Sequence, residues 1–402
     1  MSTKKIQFLN AKGQNLSARL ELPDKQEPHN YALFAHCFTC TKNFSAVRNI
    51  AQALTNSGIA VLRFDFTGLG ESGGEFSETN FSTNIEDLVA AGEFLNNEYQ
   101  APSLLIGHSL GGTAAIFAAA QIPSVKAVAV IGAPSSPAHV QHLFKDDINK
   151  IKEEGKAKVS IGGRPFYLSR QFIEDIRSRN MKDILANLRK AVIVLHSPQD
   201  AIVGIKNAEE IYHYARHPKS YISLDGADHL LSNKKDSMYA GKVIAGWAER
   251  YLDIPEMQTP ETHHQVAVGI GNKDLTSEIV AGKHLLIADE PESAGGNDYG
   301  PSPYEYISAG LGACTAMTLR MYADRKKWDL QKVVVHLDHK KDYPKSTDKI
   351  EQGTDKIDFI SRKIELEGSL NDVQRQKLLE IAEKCPVHKT LSSSSEITTV
   401  LK

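Results

Sequence analysis

The sequence has few cysteines, no excess of basic residues and no long apolar run, and each absence excludes a class of protein. Four cysteines in 402 residues are too few for a secreted disulfide scaffold, so we expect a reducing, cytoplasmic environment. With 47 basic and 49 acidic residues the net charge is −2, which argues against a nucleic-acid partner. No stretch approaches the ~20 apolar residues of a membrane span, and the N-terminus lacks the apolar core of a signal peptide, so no membrane partner is expected.

The composition is otherwise that of a globular protein, with 41% hydrophobic and 24% charged residues. At about 150 residues per domain the length predicts two or three folding units. The first part, residues 1–252, alternates short apolar runs with helix-length segments, which indicates an α/β fold with a mostly parallel sheet covered on both faces. Charged, helical sequence at 135–189 interrupts this alternation and predicts a small helical cap. The predicted strands are 31–36, 59–64, 103–106, 127–131, 192–195 and 221–224, and the predicted helices are 43–57, 81–97, 111–121 and 234–252.

The pattern changes after a polar segment, 253–262, which carries Pro255 and Pro260 and is predicted to be a linker. Beyond it, residues 263–402 combine strand-like runs with two long helical patterns, which predicts a second, α+β domain. Its predicted strands are 265–270, 332–337, 357–366 and 396–401, and its predicted helices are 303–327 and 371–384.

Ser109 lies in the sequence Gly-His-Ser-Leu-Gly-Gly, between a predicted strand and an alanine-rich helix. A nucleophile on such a sharp turn requires small neighbours, and Gly107 and Gly111 have no Cβ atom to clash there. The N–H groups at the start of the helix point towards a developing oxyanion. This context makes Ser109 a candidate nucleophile; an inert serine in a glycine-rich turn is the structural alternative.

A serine nucleophile needs a base that is held by an acid. Asp200 and His229 both follow predicted strands and come after Ser109 in the chain, so they are the preferred acid and base. Alternatives are His213 and His217 as the base, and Asp65, Asp225 and Asp228 as the acid. His213 and His217 occur in a predicted helix and at its end. The three carboxylates are more plausible as organisers of their own loops.

With these residues in place, residues 1–252 resemble the α/β-hydrolase family of serine esterase type. The resemblance implies that Ser109 attacks a carbonyl, that His229 transfers the proton and that Asp200 orients the histidine. It implies an oxyanion hole formed by the N–H groups of Leu110 and Phe38. The substrate class that follows is a small-molecule carboxylic ester, with a peptidase or a perhydrolase as alternatives.

Cys37 and Cys40, on either side of Phe38, have the Cys-x-x-Cys spacing. Two thiols cannot complete a tetrahedral metal site, and no further ligands stand nearby in the sequence. We therefore expect neither a metal nor a cofactor here. The sequence favours small packing residues beside the site, with redox sensing as the alternative.

The other two cysteines are Cys314, in a helix rich in glycine and alanine, and Cys385, in a Cys-Pro-Val-His388 run. Buried single thiols are commonly inert. Together with a Gly-Pro-Ser-Pro run before the helix, however, the two motifs resemble the OsmC and organic-hydroperoxide-resistance family. The resemblance implies that Cys314 is peroxidatic and Cys385 resolving. It also implies a homodimer that uses an organic hydroperoxide and a dithiol reductant.

This second part departs from the family in one respect, because no arginine occurs between Arg250 and Arg320 to lower the pKa of a reactive thiol. Glu305 lies close to the position of the family glutamate and is a candidate for thiol activation. The candidate replacements for the arginine are Lys283, His284 and Arg320. The alternative is a domain without chemistry, which serves as a dimerisation or ligand-binding scaffold.

Overall fold

The structure is a computed structural model that describes residues 1–24, 26–161, 163–255, 260–272, 274–342 and 357–401. The chain separates into two units, Met1–Met257 and Gln258–Lys402. Four of the ten residues of the predicted linker, 256–259, lie outside the described residues. No helix in the described ranges is long and apolar enough to cross a membrane.

An eight-stranded sheet forms the centre of the first unit, in the order β1-β2-β4-β3-β5-β6-β9-β10. β1 and β2 pair antiparallel and β2 joins β4 antiparallel, whereas all the strands from β4 to β10 in this order are parallel. A separate hairpin consists of β7 and β8. The strands are β1 (Ser2–Leu9), β2 (Asn15–Leu22), β3 (Asn30–Ala35), β4 (Ile59–Phe64), β5 (Leu104–His108), β6 (Ala127–Ile131), β7 (Lys156–Ile161), β8 (Arg164–Ser169), β9 (Ala191–His196) and β10 (Lys219–Ser223).

The central strands are buried on both faces, as their unbroken apolar sequences require. On β6, Val128 and Val130 belong to one hydrophobic cluster, and Ala127, Ala129 and Ile131 belong to the cluster on the other face. Helices complete both layers, which is the arrangement expected of a parallel sheet. They are α1 (Ser45–Thr55), α2 (Phe81–Glu98), α3 (Leu110–Ala119), α4 (Ile148–Glu154), α5 (Arg170–Ser178), α6 (Met181–Asn187), α7 (Lys206–Tyr214) and α8 (Lys234–Ala248).

The segment between β6 and β9 contains more than the helices that its sequence predicts. A 3₁₀ segment (Pro137–Asp147) and α4 lead into the β7–β8 hairpin, and α5 and α6 follow. The hairpin was not predicted, although β7 alternates buried and exposed side chains along its six residues. That two-residue period is typical of a half-buried strand.

The second unit contains two small antiparallel sheets. One has the order β11-β12-β13 and the other consists of β14 and β15. The elements are β11 (Val266–Ile270), β12 (Ser277–Ala281), β13 (His284–Ala288), α9 (Pro303–Lys326), β14 (Lys332–Asp342), β15 (Ile357–Glu367), α10 (Asp372–Ala382) and α11 (Pro386–Ser392). The strand predicted at 396–401 is wrong. Ile397 and Val400 are exposed there, and no strand of the described residues pairs with them.

Two glycines of α8 provide a test of how closely that helix packs on α1. A Cβ atom at Gly241 would lie 2.7 Å from the Ala53 Cβ and 3.0 Å from the Ile50 Cα, whereas one at Gly246 would meet nothing within 4 Å. Gly246→Ala should therefore stabilise the first unit by about 1 kcal/mol, the gain in helix propensity. Gly241→Ala should destabilise it by about 1–3 kcal/mol, because the added methyl group would push against the backbone of α1, which cannot move without disturbing its own packing.

Calorimetry of the full chain checks this pair, with each variant compared to the parent. If the two substitutions shift the melting temperature of the first unit in the same direction, the close packing of α8 on α1 is incorrect.

Candidate active sites

Ser109 lies on a strained turn between β5 and α3, with φ +55° and ψ −130°. A Cβ atom at Gly107 would lie 2.3 Å from the Gly111 carbonyl oxygen, and one at Gly111 would lie 2.3 Å from the His36 carbonyl oxygen. Both contacts are with backbone, so neither position tolerates a side chain. The glycines allow the start of α3 to lie directly against the ends of β3 and β5, and this contact sets the direction of the serine side chain.

The structure brings Ser109, His229 and Asp200 into one hydrogen-bonded chain. His229 Nε2 is 3.0 Å from Ser109 Oγ, and His229 Nδ1 is 2.7 Å from Asp200 Oδ2. The three residues follow β5, β9 and β10, whose carboxyl ends share one edge of the sheet. This geometry suits a serine that is activated by a histidine, which a carboxylate orients in turn.

Asp200 is held as an acceptor by its own loop as well as by the histidine. Its Oδ1 accepts the N–H groups of Ile202 and Val203, both at 2.9 Å. Burial alone raises the pKa of Asp200, but the hydrogen bonds from His229 and from the backbone outweigh it and hold the pKa below its ordinary value. The carboxylate therefore stays ionised beside His229.

The loop after β3 presents the expected second oxyanion donor. Among the described residues, no group accepts a hydrogen bond from the N–H of Phe38 or from that of Leu110. Both N–H groups are thus available to a ligand. The ring of Phe38 stacks on Phe172 of α5, with centroids 5.2 Å apart, so the segment between β6 and β9 covers this loop.

Cys37 and Cys40 form a disulfide around Phe38, which corrects the expectation of two separate packing thiols. The Cys40 N–H also donates to the Cys37 carbonyl oxygen at 3.1 Å. The thiols meet because this turn reverses the chain within four residues. The loop that carries the candidate oxyanion donor is therefore closed covalently.

Two further histidines support the site and were not singled out in the sequence. His108 Nε2 donates to the His229 carbonyl oxygen at 2.7 Å, and His196 Nε2 donates to the Val203 carbonyl oxygen at 2.7 Å. Each therefore fixes a loop that carries one of the three chain members. Burial, with a smaller repulsion from the positive charge that His229 can carry, lowers the pKa of His108 to about 4. A histidine directly before a nucleophilic serine was the available sequence signal.

The competing acids and bases have other roles. Asp65 is buried and accepts hydrogen bonds from the Lys42 N–H and ammonium group, which ties the loop after β3 to the loop after β4. The remaining alternatives lie at the surface or bond within their own loops: His213 and His217 are exposed, Asp225 accepts from Ser223 Oγ, and Asp228 accepts from the Ser232 N–H.

The two cysteines of the second unit lie side by side. Cys314 is partly exposed on α9, and Cys385 is fully buried at the start of α11. The Cys385 thiol hydrogen-bonds to the side chains of Cys314 and Thr315 and to the N–H groups of His388 and Val387. Burial raises the pKa of Cys385, and these hydrogen bonds reverse the shift, so that the pKa lies below its usual value.

Glu305 and Arg320, two of the activating groups that the sequence suggested, have other partners. Glu305 forms a capping box with Ser302, nine residues before Cys314 on α9, which is about 13 Å along the helix axis. Arg320 donates to the carbonyl oxygens of Leu330 and Gln331, and Lys283 and His284 are exposed. Arg362 of β15, which sequence reasoning missed, donates to Thr315 Oγ1 at 2.8 Å.

The parallel sheet with its antiparallel edge, the serine turn after β5 and the acid and base loops after β9 and β10 define an α/β-hydrolase. Family models agree with this assignment. Residues 27–171 match the family described as serine aminopeptidase, S33, and residues 295–400 match the family described as OsmC-like protein.

The crystal structure of the esterase domain from a Rhodothermus marinus protein is 48% identical to this chain, with a TM-score of 0.53. The match between the two covers 62% of this chain and 99% of that domain. The chain therefore belongs to the α/β-hydrolase family through its first unit, and its second unit is OsmC-like. Both resemblances and the fold class are confirmed.

More distant relatives share the hydrolase part. Human mitochondrial palmitoyl-protein thioesterase ABHD10 is 25% identical over 188 residues, which are 46% of this chain and 57% of that protein. The chain thus spans less than two thirds of this curated relative. The structure of mouse α/β hydrolase domain-containing protein 10 is 19% identical, with a TM-score of 0.52 over 61% of this chain and 99% of that one, and shows the shared fold.

The depressed pKa of His108 predicts an acid-sensitive step in stability. Between about pH 6.5 and about pH 4 the unfolded state binds a proton at this residue that the folded state does not. Stability therefore falls on acidification through this window, by about 3 kcal/mol from His108 alone. His108→Gln keeps a donor for the His229 carbonyl oxygen but does not titrate, so it should remove that part of the acid loss.

Urea unfolding of the parent and the variant at both ends of the window measures the difference. The other buried histidines are present in both proteins, so their contributions to the acid loss of stability cancel. Equal acid losses in the two proteins would show that His108 titrates normally.

Proposed function

We propose that the first unit hydrolyses carboxylic esters, with Ser109 as nucleophile, His229 as general base and Asp200 as the residue that orients the histidine. The observation that carries the proposal is the hydrogen-bonded chain of 3.0 and 2.7 Å from Ser109 through His229 to Asp200. The 48% identical esterase domain supports an ester as the substrate. Thioesters are the second candidate, because the human relative is a thioesterase.

The mechanism assigns a role to each residue from its place in the hydrogen-bonded chain. His229 Nε2 takes the Ser109 proton as Oγ attacks the carbonyl carbon, and the N–H groups of Phe38 and Leu110 stabilise the oxyanion. Asp200 stabilises the imidazolium that forms. The same histidine then protonates the leaving alcohol, and water repeats the sequence on the acyl-enzyme.

The hydrolase proposal predicts that Ser109→Ala removes labelling by a fluorophosphonate and lowers the turnover of a chromogenic short-chain ester by at least about a thousandfold. His229→Asn should have a similar effect, because the base is lost. The matched control is His213→Asn, at an exposed histidine of α7, which should leave turnover unchanged. Substantial turnover by Ser109→Ala, or a loss in His213→Asn equal to that in His229→Asn, would refute the assignment.

We further propose that the second unit reduces organic hydroperoxides with a dithiol as the final reductant, with Cys314 as the peroxidatic and Cys385 as the resolving cysteine. The hydrogen bond between the two thiols supports the pair, and the partial exposure of Cys314 supports its role as the first to meet a peroxide.

We also propose a homodimer through this unit. Met317 and Met321, one turn apart on α9, are 65% and 72% exposed, which is unusual for an unpartnered helix face.

The peroxidase proposal predicts that Cys314→Ser abolishes the consumption of cumene hydroperoxide with a dithiol. The control is the double variant Cys37→Ser/Cys40→Ser, which removes the other two cysteines and should retain full consumption. Unchanged consumption in Cys314→Ser would refute the role of Cys314, and an inactive parent protein would favour the scaffold alternative.

A further inference from the structure

Arg362 lies beside the thiol pair and is nearly enclosed, with its side chain 10% exposed. One guanidinium nitrogen donates to Thr315 Oγ1 at 2.8 Å and to the Ala382 carbonyl oxygen at 3.3 Å. The other donates to Glu383 Oε1 at 2.8 Å. Arg362 comes from the middle of β15 and its partners come from α9 and the end of α10, so only the folded unit assembles this cluster.

Thr315 connects the guanidinium to the sulfur of Cys385. Its hydroxyl oxygen accepts from Arg362 at 2.8 Å. The single hydroxyl hydrogen has two acceptors, the Leu311 carbonyl oxygen, to which it is donated at 2.8 Å, and the Cys385 sulfur, whose pKa the hydroxyl lowers. A donor that is itself polarised by a cation makes a stronger hydrogen bond to a thiolate than to a thiol.

The other charged groups around Cys385 form one network with Arg362. Glu383 pairs with Arg362 and lies 3.1 Å from His388 Nε2. His388 also contributes its N–H to the Cys385 sulfur. Glu383 is 60% exposed and screened by water, while the guanidinium lies inside. The positive member of the pair is thus the buried one.

Burial separates the roles of the two sulfurs. Cys385 is fully buried, so a hydroperoxide in solution does not reach it, but Cys314 is in direct contact with it. A thiolate at Cys385 therefore has one available electrophile, the sulfur of Cys314 after oxidation. Charge stabilisation at Cys385 serves the second half of a peroxidase cycle rather than the first.

We propose that Arg362 is a positioning residue for disulfide formation: through Thr315 it holds Cys385 as the thiolate that attacks the oxidised Cys314. The inference depends on the proposed peroxide reduction. In the first step the Cys314 thiol and a hydroperoxide ROOH give Cys314 sulfenic acid and the alcohol ROH. In the second step the Cys385 thiolate attacks the Cys314 sulfur, the S–S bond forms and hydroxide leaves. A dithiol then reduces the disulfide and is itself oxidised.

The test compares Arg362→Met with Arg375→Met, which removes an arginine that donates to the carbonyl oxygens of Leu366 and Leu370, away from the thiols. Each full-length protein receives one equivalent of cumene hydroperoxide, and dimedone traps sulfenic acid at Cys314. Mass spectrometry then measures the adduct and the Cys314–Cys385 disulfide. The parent and Arg375→Met should form the disulfide. Arg362→Met should form it about tenfold more slowly and accumulate the adduct, and Arg362→Lys should recover part of the rate.

A second measurement does not depend on peroxide. In a Cys314→Ser background, thiolate absorbance followed against pH should show Cys385 ionising at a pH at least about one unit higher after Arg362→Met than after Arg375→Met. Equal ionisation and equal disulfide rates in the two variants would overturn the inference. If the parent forms no sulfenic acid, the proposed peroxidase fails and the resolving role fails with it, and the absorbance titration still shows whether Arg362 sets the charge on Cys385.

Discussion

The direct backbone contact between the start of α3 and the ends of β3 and β5 is the constraint on which the first unit depends. It exists because Gly107 and Gly111 carry no side chain: a Cβ at either position would lie 2.3 Å from a carbonyl oxygen. The contact forces Ser109 into a positive φ and aims its Oγ at His229. It also places the start of α3 beside the loop after β3. Relaxing this contact would separate the nucleophile from its base and from the oxyanion loop together.

Both candidate sites solve the same electrostatic problem, which is how to keep a negative charge in a buried position. Desolvation opposes ionisation of Asp200 and of Cys385, and in each case several hydrogen bonds overcome it. Asp200 uses two backbone N–H groups and His229; Cys385 uses backbone N–H groups and the Thr315 hydroxyl, behind which lies Arg362. The donors come from loops and side chains that are themselves fixed, as His196 fixes the Asp200 loop through the Val203 carbonyl oxygen.

The sequence could predict features that depend on residues close together in the chain. The predicted strands before 396 and the predicted long helices follow from apolar runs, and the structure has them within about five residues of the predicted bounds. The order Ser109, Asp200, His229 follows from residues placed just after strands. The antiparallel strands β1, β2, β12 and β13 were not predicted, nor was the β7–β8 hairpin. Two of the failures depended on contacts between distant parts of the chain. Arg362 and Thr315 are 47 residues apart, so a search for a cation before α9 could not find this one. The strand predicted at 396–401 had β-branched residues, but no strand in the described part of the chain pairs with it. The Cys37–Cys40 disulfide depends on a turn for which the four residues carry no sequence signal.

The two sites also share a gradient of exposure, and it explains why each reactive atom needs a buried partner. Ser109 is partly exposed and Asp200 is buried; Cys314 is partly exposed and Cys385 is fully buried. A reactive atom must meet its substrate, and the water that comes with access weakens every charge interaction around it. A group that stabilises a charge has its largest effect where water is excluded. Placing access on one residue and charge on a buried one satisfies both requirements. His229 links Ser109 to Asp200 through two hydrogen bonds, and Cys314 interacts directly with Cys385.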